Sequence, residues 1–219
     1  MLEMLEIEPR QTASCAVIWL HGLGADGNDF VPLIHQWGLA NELGARFVLP
    51  HAPRRPVTLN NGMVMRAWYD IYDLAFSQGE DRQGVEQAQQ HLLSLILREC
   101  ERGLSSDRIL LAGFSQGGAV ALHTALRFAE PLAGVLALSA YLPLAGLLAE
   151  EKRADPSLMT IRMDHGEQDT VVPFVAAERS RATLEEQGYH VDFHTYTMEH
   201  SLCPSQLESL RRWITGQLG

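Results

Sequence analysis

The sequence predicts a doubly wound α/β domain, with a mostly parallel central sheet and helices on both faces. Three observations predict it. Short apolar runs alternate with amphipathic stretches along most of the 219 residues. The middle runs are apolar at nearly every position, as strands covered on both faces of a parallel sheet are. No repeat and no Ser/Gly/Pro linker divides the chain, so the alternation reads as successive crossovers of one sheet.

Residues 16–20 (Ala-Val-Ile-Trp-Leu) form the first β-type run, ending at a Gly-rich turn. Residues 46–49 form the second, stopped by Pro50 and Pro53. Residues 109–112, 134–138, 160–163 and 191–196 supply four more. Between them, Val85, Ala88, Leu92, Leu95, Ile96 and Cys100 recur at helical spacing, with Gly103 placed as a C-terminal cap. An Ala-rich helix spans 116–129 and stops before Pro131; another opens at Pro173 and closes at Gly188. The last begins near Pro204 and carries Leu207, Leu210, Ile214 and Leu218 on one side. Residues 1–13 read as an N-terminal extension or edge strand of this single domain. Residues 51–84, rich in Asn, Gly and Pro and carrying Trp68, Tyr69, Tyr72 and Phe76, read as a long loop over the sheet edge and the active site.

Composition narrows the class. Hydrophobic residues make up 46% and charged residues 20%, which fits an ordinary globular core rather than a disordered or fibrous chain. The net charge of −10 argues against nucleic acid or an anionic membrane as a main partner, since both select clustered positive charge. No apolar stretch is long enough to span a bilayer, so no integral membrane association is expected. The start, MLEMLEIEPR, is acidic where a secretory signal would be basic. Cys15, Cys100 and Cys203 are odd in number and scattered, without disulfide or metal-ligand spacing. A reduced cytoplasmic protein needing no metal or cofactor is the expectation.

The chemistry begins at Gly113-Phe-Ser115-Gln-Gly117, which follows one apolar run directly and leads into the Ala-rich helix. A G-x-S-x-G in that context is a sharp strand-to-helix turn that lifts the serine hydroxyl above the sheet at a helix N-terminus. There the free N–H groups favour developing negative charge. A serine hydroxyl is a weak nucleophile without a base to take its proton and an acid to orient that base. On this topology the order is Ser, then Asp or Glu, then His, each in a loop after a strand. Of nine histidines, only His200 lies in the loop after the last strand and before the final helix. Asp164 and Asp169 compete for the acid. Asp164 sits at a strand end, where a carboxylate serves to cap a turn. Asp169 lies further into the loop, where the chain can turn toward His200, though it could equally be a helix N-terminal carboxylate. Asp169 is the favoured acid.

Acyl transfer also needs two N–H donors for the oxyanion. The residue after the nucleophile, Gln116, offers one. The loop His21-Gly22-Leu23-Gly24-Ala25-Asp26 offers the other, best at Leu23, where flanking glycines let the backbone approach a substrate. Gly22-x-Gly24-x-x-Gly27 also satisfies the glycine part of a dinucleotide fingerprint, but the acid at that distance, Glu42, precedes the next strand instead of ending it. Nucleotide binding is therefore the weaker reading of this loop. Cys203 sits before a helix rather than on an elbow, and reads as a small buried residue.

His21-Gly-Leu-Gly-Ala-Asp26, Trp68-Tyr-Asp70, Gly113-Phe-Ser-Gln-Gly-Gly118, Leu138-Ser-Ala-Tyr-Leu-Pro143, His165-Gly-Glu-Gln-Asp169 and Met198-Glu-His200 occur in that order. Together they resemble the carboxylesterase, lysophospholipase and acyl-protein thioesterase family of small α/β-hydrolases, over nearly the whole chain. The resemblance implies an α/β-hydrolase fold without a large cap domain. It implies a triad of Ser115, His200 and Asp169 and an oxyanion hole from Leu23 and Gln116, in agreement with the residue argument. It further implies an acyl groove bordered by the segment 64–72. Met63, Val64, Met65, Trp68 and Tyr69 have the adaptable or flat side chains for that role, or else anchor the loop to the core. Two departures stand out: Ser139-Ala140 in place of Ser-Gly, and Glu199 before His200, a carboxylate expected to raise the imidazole pKa.

The expected function is a serine carboxylesterase working through an acyl-enzyme on a small-molecule or lipid-like ester. The alternatives are an acyl-protein thioesterase or lysophospholipase acting on long chains, and, from another class, a non-catalytic or nucleotide-binding module. The apolar loop beside the groove is a candidate two-fold contact for a homodimer.

Overall fold

The computed structural model describes residues 2–73 and 79–219; Phe76 lies outside the described residues. Seven strands form the main sheet: β1 (Met4–Ile7), β2 (Cys15–Leu20), β3 (Ala45–Pro50), β6 (Ile109–Phe114), β7 (Gly134–Leu138), β8 (Ile161–Gly166) and β9 (Val191–Tyr196). A separate hairpin holds β4 (Arg54–Val57) and β5 (Met63–Arg66). The helices are α1 (Val31–Trp37), α2 (Leu39–Leu43), α3 (Arg82–Glu101), α4 (Gln116–Arg127), α5 (Leu148–Glu151), α6 (Phe174–Glu186) and α7 (Pro204–Leu218). The sheet order is β1-β3-β2-β6-β7-β8-β9, with β1 antiparallel to β3 and every other pair parallel.

The apolar runs become β2, β3, β6 and β7 because both of their faces are covered. Alternate residues divide between two cores. Ala16, Ile18 and Leu20 of β2 join Ile109, Leu111, Val135 and Ala137 under α3 and α4. Val17 and Trp19 join Phe47, Leu110 and Leu136 under α1, α2 and α7. Helices on both faces are thus the direct consequence of strands that have no polar side. The β-branched and aromatic residues at these positions suit a pleated, buried surface.

Strand order reverses at the β2–β6 pair. The chain leaves β2 toward α1 on one face and leaves β6 into α4 on the other, so a crevice opens between the two exits. The register Leu20↔Gly113 brings those exits side by side.

Several segments differ from the sequence reading. Residues 51–84 are not one long loop: the β4–β5 hairpin lies within them, and α3 already begins at Arg82. Arg54, Arg55 and Pro56 hid the strand, since charge and proline suit only short edge strands such as this one. Also unread are α1 and α2, short helices closed by left-handed Gly38 and Gly44, and the one-turn helix α5. Among the described residues no separate cap domain covers the strand ends.

The edge strand β1 is tied down by ions. Glu99 of α3, fully buried, receives Arg46 Nη1 at 2.5 Å and Arg102 Nη1 at 3.2 Å, while Arg46 and Arg102 also pair with Glu8 and Arg102 with Glu6. Removing the buried Glu99 would leave Arg46 and Arg102 with only the solvent-facing Glu8 and Glu6, and breaking a buried pair in this way costs about 3–5 kcal/mol. Urea unfolding of Glu99→Ala is expected to show a loss of that size, against less than about 1 kcal/mol for the exposed pair Arg212–Glu208.

Burial also makes stability pH-dependent. It pushes the His123 imidazole down to about 4, with nearby Arg127 acting in the same direction. His21 and His165 are lowered by burial as well. Between pH 6.5 and 4 the unfolded chain binds a proton at His123 that the folded chain refuses. Stability therefore falls as pH falls through that window, by about 3 kcal/mol for His123. Urea titrations of wild type and His123→Leu are expected to differ in pH slope by about one proton there.

Candidate active site

The elbow at the end of β6 is held by sterics. Ser115 adopts φ 55°, ψ −122°, a left-side conformation that a side chain tolerates only under constraint. A Cβ at Gly113 would fall on the Gly117 carbonyl, and one at Gly117 would fall on the Leu20 and His21 oxygens. The glycines are therefore what allow α4 to start against β2. Ser115 N–H donates to Leu138 O at 2.7 Å, and its carbonyl receives Ala119 N–H at 3.0 Å. The hydroxyl thus stands at the first turn of α4, and Gln116, as the first helical residue, has a backbone N–H with no intrahelical acceptor.

Strand register delivers Asp169 to His200. Gly166 of β8 pairs with Tyr196 of β9, and Glu167 N–H and Gln168 N–H donate to Tyr196 O and Met198 O at 2.9 and 3.1 Å. A Cβ at Gly166 would collide with the carbonyls of Met198 and Glu199, so glycine permits the two loops to touch. His200 Nδ1 then meets Asp169 Oδ2 at 2.7 Å, with the aspartate side chain fully buried. Asp169 Oδ1 accepts from Val171 and Val172 N–H at 2.9 and 2.8 Å. Asp169 is therefore also the capping carboxylate that its position suggested. Since the carboxylate accepts, His200 Nδ1 carries the proton and Nε2 is left with a free lone pair. The Phe114 ring packs on the imidazole at 4.8 Å. Ser115 and His200 border the same cavity at the start of α4.

Asp164, the competing acid, is spent elsewhere. Arg162 grips it with two bonds, Nε–Oδ1 at 2.8 Å and Nη2–Oδ2 at 3.0 Å, both residues being buried in β8. His165 sits behind Asp169: its Nε2 donates to Val172 O at 2.9 Å and lies 3.4 Å from Asp169 Oδ2. Glu199 is exposed, in solvent that screens its charge. Cys203 is half-buried, not buried, and caps α7: its sulfur meets the backbone of the first turn, and Gln206 Oε1 accepts its N–H at 3.4 Å.

The Gly-rich loop is braced by His21. Its Nε2 accepts Ala52 N–H at 3.0 Å, so Nδ1 holds the proton and donates to Gly22 O at 2.7 Å. Trp68 Nε1 donates to His21 O at 2.9 Å, and Trp68 N–H donates to Gln116 Oε1 at 2.8 Å. Gln116 Nε2 donates in turn to Tyr69 O at 2.8 Å. One buried chain of hydrogen bonds therefore links the loop carrying Leu23 to the residue after Ser115.

A cavity of ≈ 250 Å³ opens where these parts meet, bordered by Ser115, His200, Leu23 and Gln116. Its apolar wall comes from Leu59, Ile71, Phe114, Val171 and Val172, with Tyr69 and Tyr141. Of the five groove residues expected from sequence, only Tyr69 borders it. Met63 and Val64 lie on β5 and are 64% and 59% exposed. Met65 packs against Asn60, and Trp68 is buried as a brace. Met63 and Val64 stand at the turn end of the hairpin, open to solvent, while the Met65 sulfur lies beside Gly24 of the Gly-rich loop, 3.7 Å from where a Cβ on that glycine would stand. The apolar residues that do line it come from separate segments, Leu59 and Ile71 on either side of β5, Phe114 at the end of β6, Tyr141 after β7 and Val171 and Val172 after β8, which only the fold brings together.

Comparison with known proteins follows the same outline. A phospholipase/carboxylesterase family model matches residues 3–217. The chain is 39% identical over 218 residues to acyl-protein thioesterase 1 of Neurospora crassa, covering 95% of this chain and 88% of that one. Among solved structures it is similar to acyl-protein thioesterase 2 of Zea mays (TM-score 0.87, 29% identity, 100% of both chains). It is also similar to SOBER1 of Arabidopsis thaliana (TM-score 0.85, 31% identity, 94% of this chain and 100% of that one). With its mostly parallel sheet, its glycine-framed elbow and a family match over nearly its whole length, the chain belongs to the phospholipase/carboxylesterase family of α/β-hydrolases.

Proposed function

We propose that the protein is a serine hydrolase of carboxylic esters and thioesters, acting through Ser115, His200 and Asp169. The observation that carries the reading is the 2.7 Å bond from His200 Nδ1 to a buried Asp169, on a cavity shared with a strained serine at a helix N-terminus. Ser115 Oγ attacks the acyl carbon while His200 Nε2 takes its proton. The oxyanion accepts from the N–H groups of Leu23 and Gln116, each donor being worth about 3–4 kcal/mol of barrier in precedent. Collapse expels the alcohol or thiol, protonated by His200, and water released to the same base then resolves the acyl-enzyme.

The second substrate class, S-acyl thioesters, is favoured by the relatives that bear the name acyl-protein thioesterase. The leaving group changes and the triad chemistry does not. The three free cysteines suit the reducing cytoplasm, and no helix of the described residues is long and apolar enough to cross a membrane.

Hydrolysis of p-nitrophenyl and thiocholine esters, wild type beside Ser115→Ala, is the direct test. Wild-type turnover with a loss of about 10⁴-fold or more in the variant is expected; folded wild type without turnover on either class overturns the reading. Asp169→Asn is expected to lose about 10⁴-fold in kcat, because an amide cannot hold His200 in the Nδ1–H tautomer.

The bracing chain gives a subtler expectation. Trp68→Phe removes the indole donor to His21 O while keeping an aromatic body. It is expected to lower kcat about tenfold or more with little change in KM, since misplaced oxyanion donors act on the transition state. Equal losses through KM alone would assign Trp68 to substrate contact instead.

A further inference from the structure

The inference concerns how far an acyl chain can extend, and it rests on the proposal that the chain enters the cavity beside Ser115. At ≈ 250 Å³ that cavity is small, below the ~300–1,000 Å³ usual for ligand pockets. Two aromatic rings border it, Tyr69 from the segment after β5 and Tyr141 from the loop after β7. Their hydroxyls meet at 2.8 Å across 72 residues of sequence.

These rings have space beyond them. A groove of ≈ 190 Å³ runs between the 141–145 segment and α6, bordered by Tyr141, Glu80, Leu142, Ala176, Arg179 and Ser180. A narrow gap of ≈ 10 Å³ lies between the two regions. Tyr69 and Tyr141 both border the gap, which shares Ile71 with the catalytic cavity and Glu80 with the groove. Without the rings, cavity and groove would be continuous.

The partition is fastened at the backbone on both sides. Tyr69 O receives Gln116 Nε2–H at 2.8 Å, which fixes the ring's stem to α4. Leu142 N–H donates to Ser180 Oγ at 2.8 Å, which fixes the stem of Tyr141 to α6. Tyr69 is 2% exposed and Tyr141 7%, so neither ring has open solvent to swing into. Beyond the pair the surroundings turn polar: Glu80 accepts Leu144 N–H with both oxygens at 3.1 and 3.0 Å, and Arg179 stands on α6. An alkyl chain reaching that point would exchange an apolar wall for carboxylate and guanidinium.

We propose that the hydrogen-bonded Tyr69–Tyr141 pair is the end stop of the acyl pocket, so that it selects acyl groups short enough to end at the rings. Tyr69 and Tyr141 are on this view specificity-determining residues, and removing either ring joins the pocket to the Glu80 groove.

The experiment measures kcat/KM on p-nitrophenyl esters from acetate to palmitate for wild type, Ser115→Ala, Tyr141→Leu and Tyr141→Phe. Wild type is expected to rise and then fall with chain length, because a methylene that does not fit costs about tenfold or more. Tyr141→Leu is expected to raise the long-to-short ratio about tenfold or more, and Tyr141→Phe, which keeps the ring, to retain the wild-type profile. An unchanged profile in Tyr141→Leu overturns the end stop, as does a shift in the Phe variant equal to that in the Leu variant. Where Tyr141→Leu fails to fold, Tyr69→Leu opens the same partition from the other side, and its profile decides. Absence of wild-type turnover at every length would instead sink the catalytic proposal itself.

Discussion

The parallel pairing of β2 with β6, in the register Leu20↔Gly113, is the constraint on which the site depends. It sets two loop exits side by side at the place where the strand order reverses. One exit is the glycine-flanked loop at Leu23 and the other is the elbow at Ser115. The contact is so close that backbone, not side chain, fills the gap, which is why Gly113 and Gly117 flank the serine. Ser115 in turn is held in a backbone state that costs about 1–3 kcal/mol elsewhere. That cost is borne by two fully apolar core layers on either face of the sheet. Stability is concentrated in the sheet and strain at its carboxyl edge.

Around this junction Gln116, Trp68 and His21 satisfy buried polar groups of one another's segments. Gln116 shows the economy of the arrangement. Its backbone N–H stays at the mouth of the helix, while its side chain donates and accepts across the segment 68–69. The same segment reaches back through the Trp68 indole to His21, and His21 reaches Gly22. In a low-dielectric interior, breaking any link would leave a buried donor or acceptor unmade, at about 1–3 kcal/mol. Two loops far apart in sequence are thereby held at a fixed separation, which is the property an oxyanion hole requires.

What could be read from the sequence was what leaves a periodic or a local trace. Strands β2, β3, β6 and β7 announced themselves because burial on both faces removes nearly all polar residues from them, Arg46 of β3 being held by Glu99 and Glu8. Ser115 announced itself because the elbow needs small residues at fixed offsets. The β4–β5 hairpin left no such trace: a short, two-stranded edge element with Arg54, Arg55 and Pro56 in one strand has neither alternation nor an apolar run. The groove residues were misplaced for a related reason. Apolarity in Met63 and Val64 is visible in the sequence, but whether they face the crevice depends on the register of a hairpin that was not visible. Tyr141 and Val172 bear on the cavity only through long-range packing, which pattern alone does not encode.

The two aspartates after Met163, one in β8 and one in the loop that follows it, show how the same side chain takes different roles a few residues apart. Asp164 and Asp169 are both buried, and either could have served as an acid by sequence position. Asp164 is matched by the guanidinium of Arg162, which also bonds Ser209 Oγ at 2.9 Å and so ties β8 to α7. Its charge is neutralised and has nothing left to offer a neighbour. Asp169 has no cation. Its partners are two backbone N–H groups and the ring of His200, with His165 held neutral by burial behind it. A carboxylate solvated only by neutral dipoles retains its field, and under the proposed mechanism that field acts on the His200 ring as it takes the Ser115 proton. Asp169 differs from its near neighbour by the absence of an arginine, and in the proposed mechanism the imidazolium of His200 would supply the missing counter-charge only during turnover.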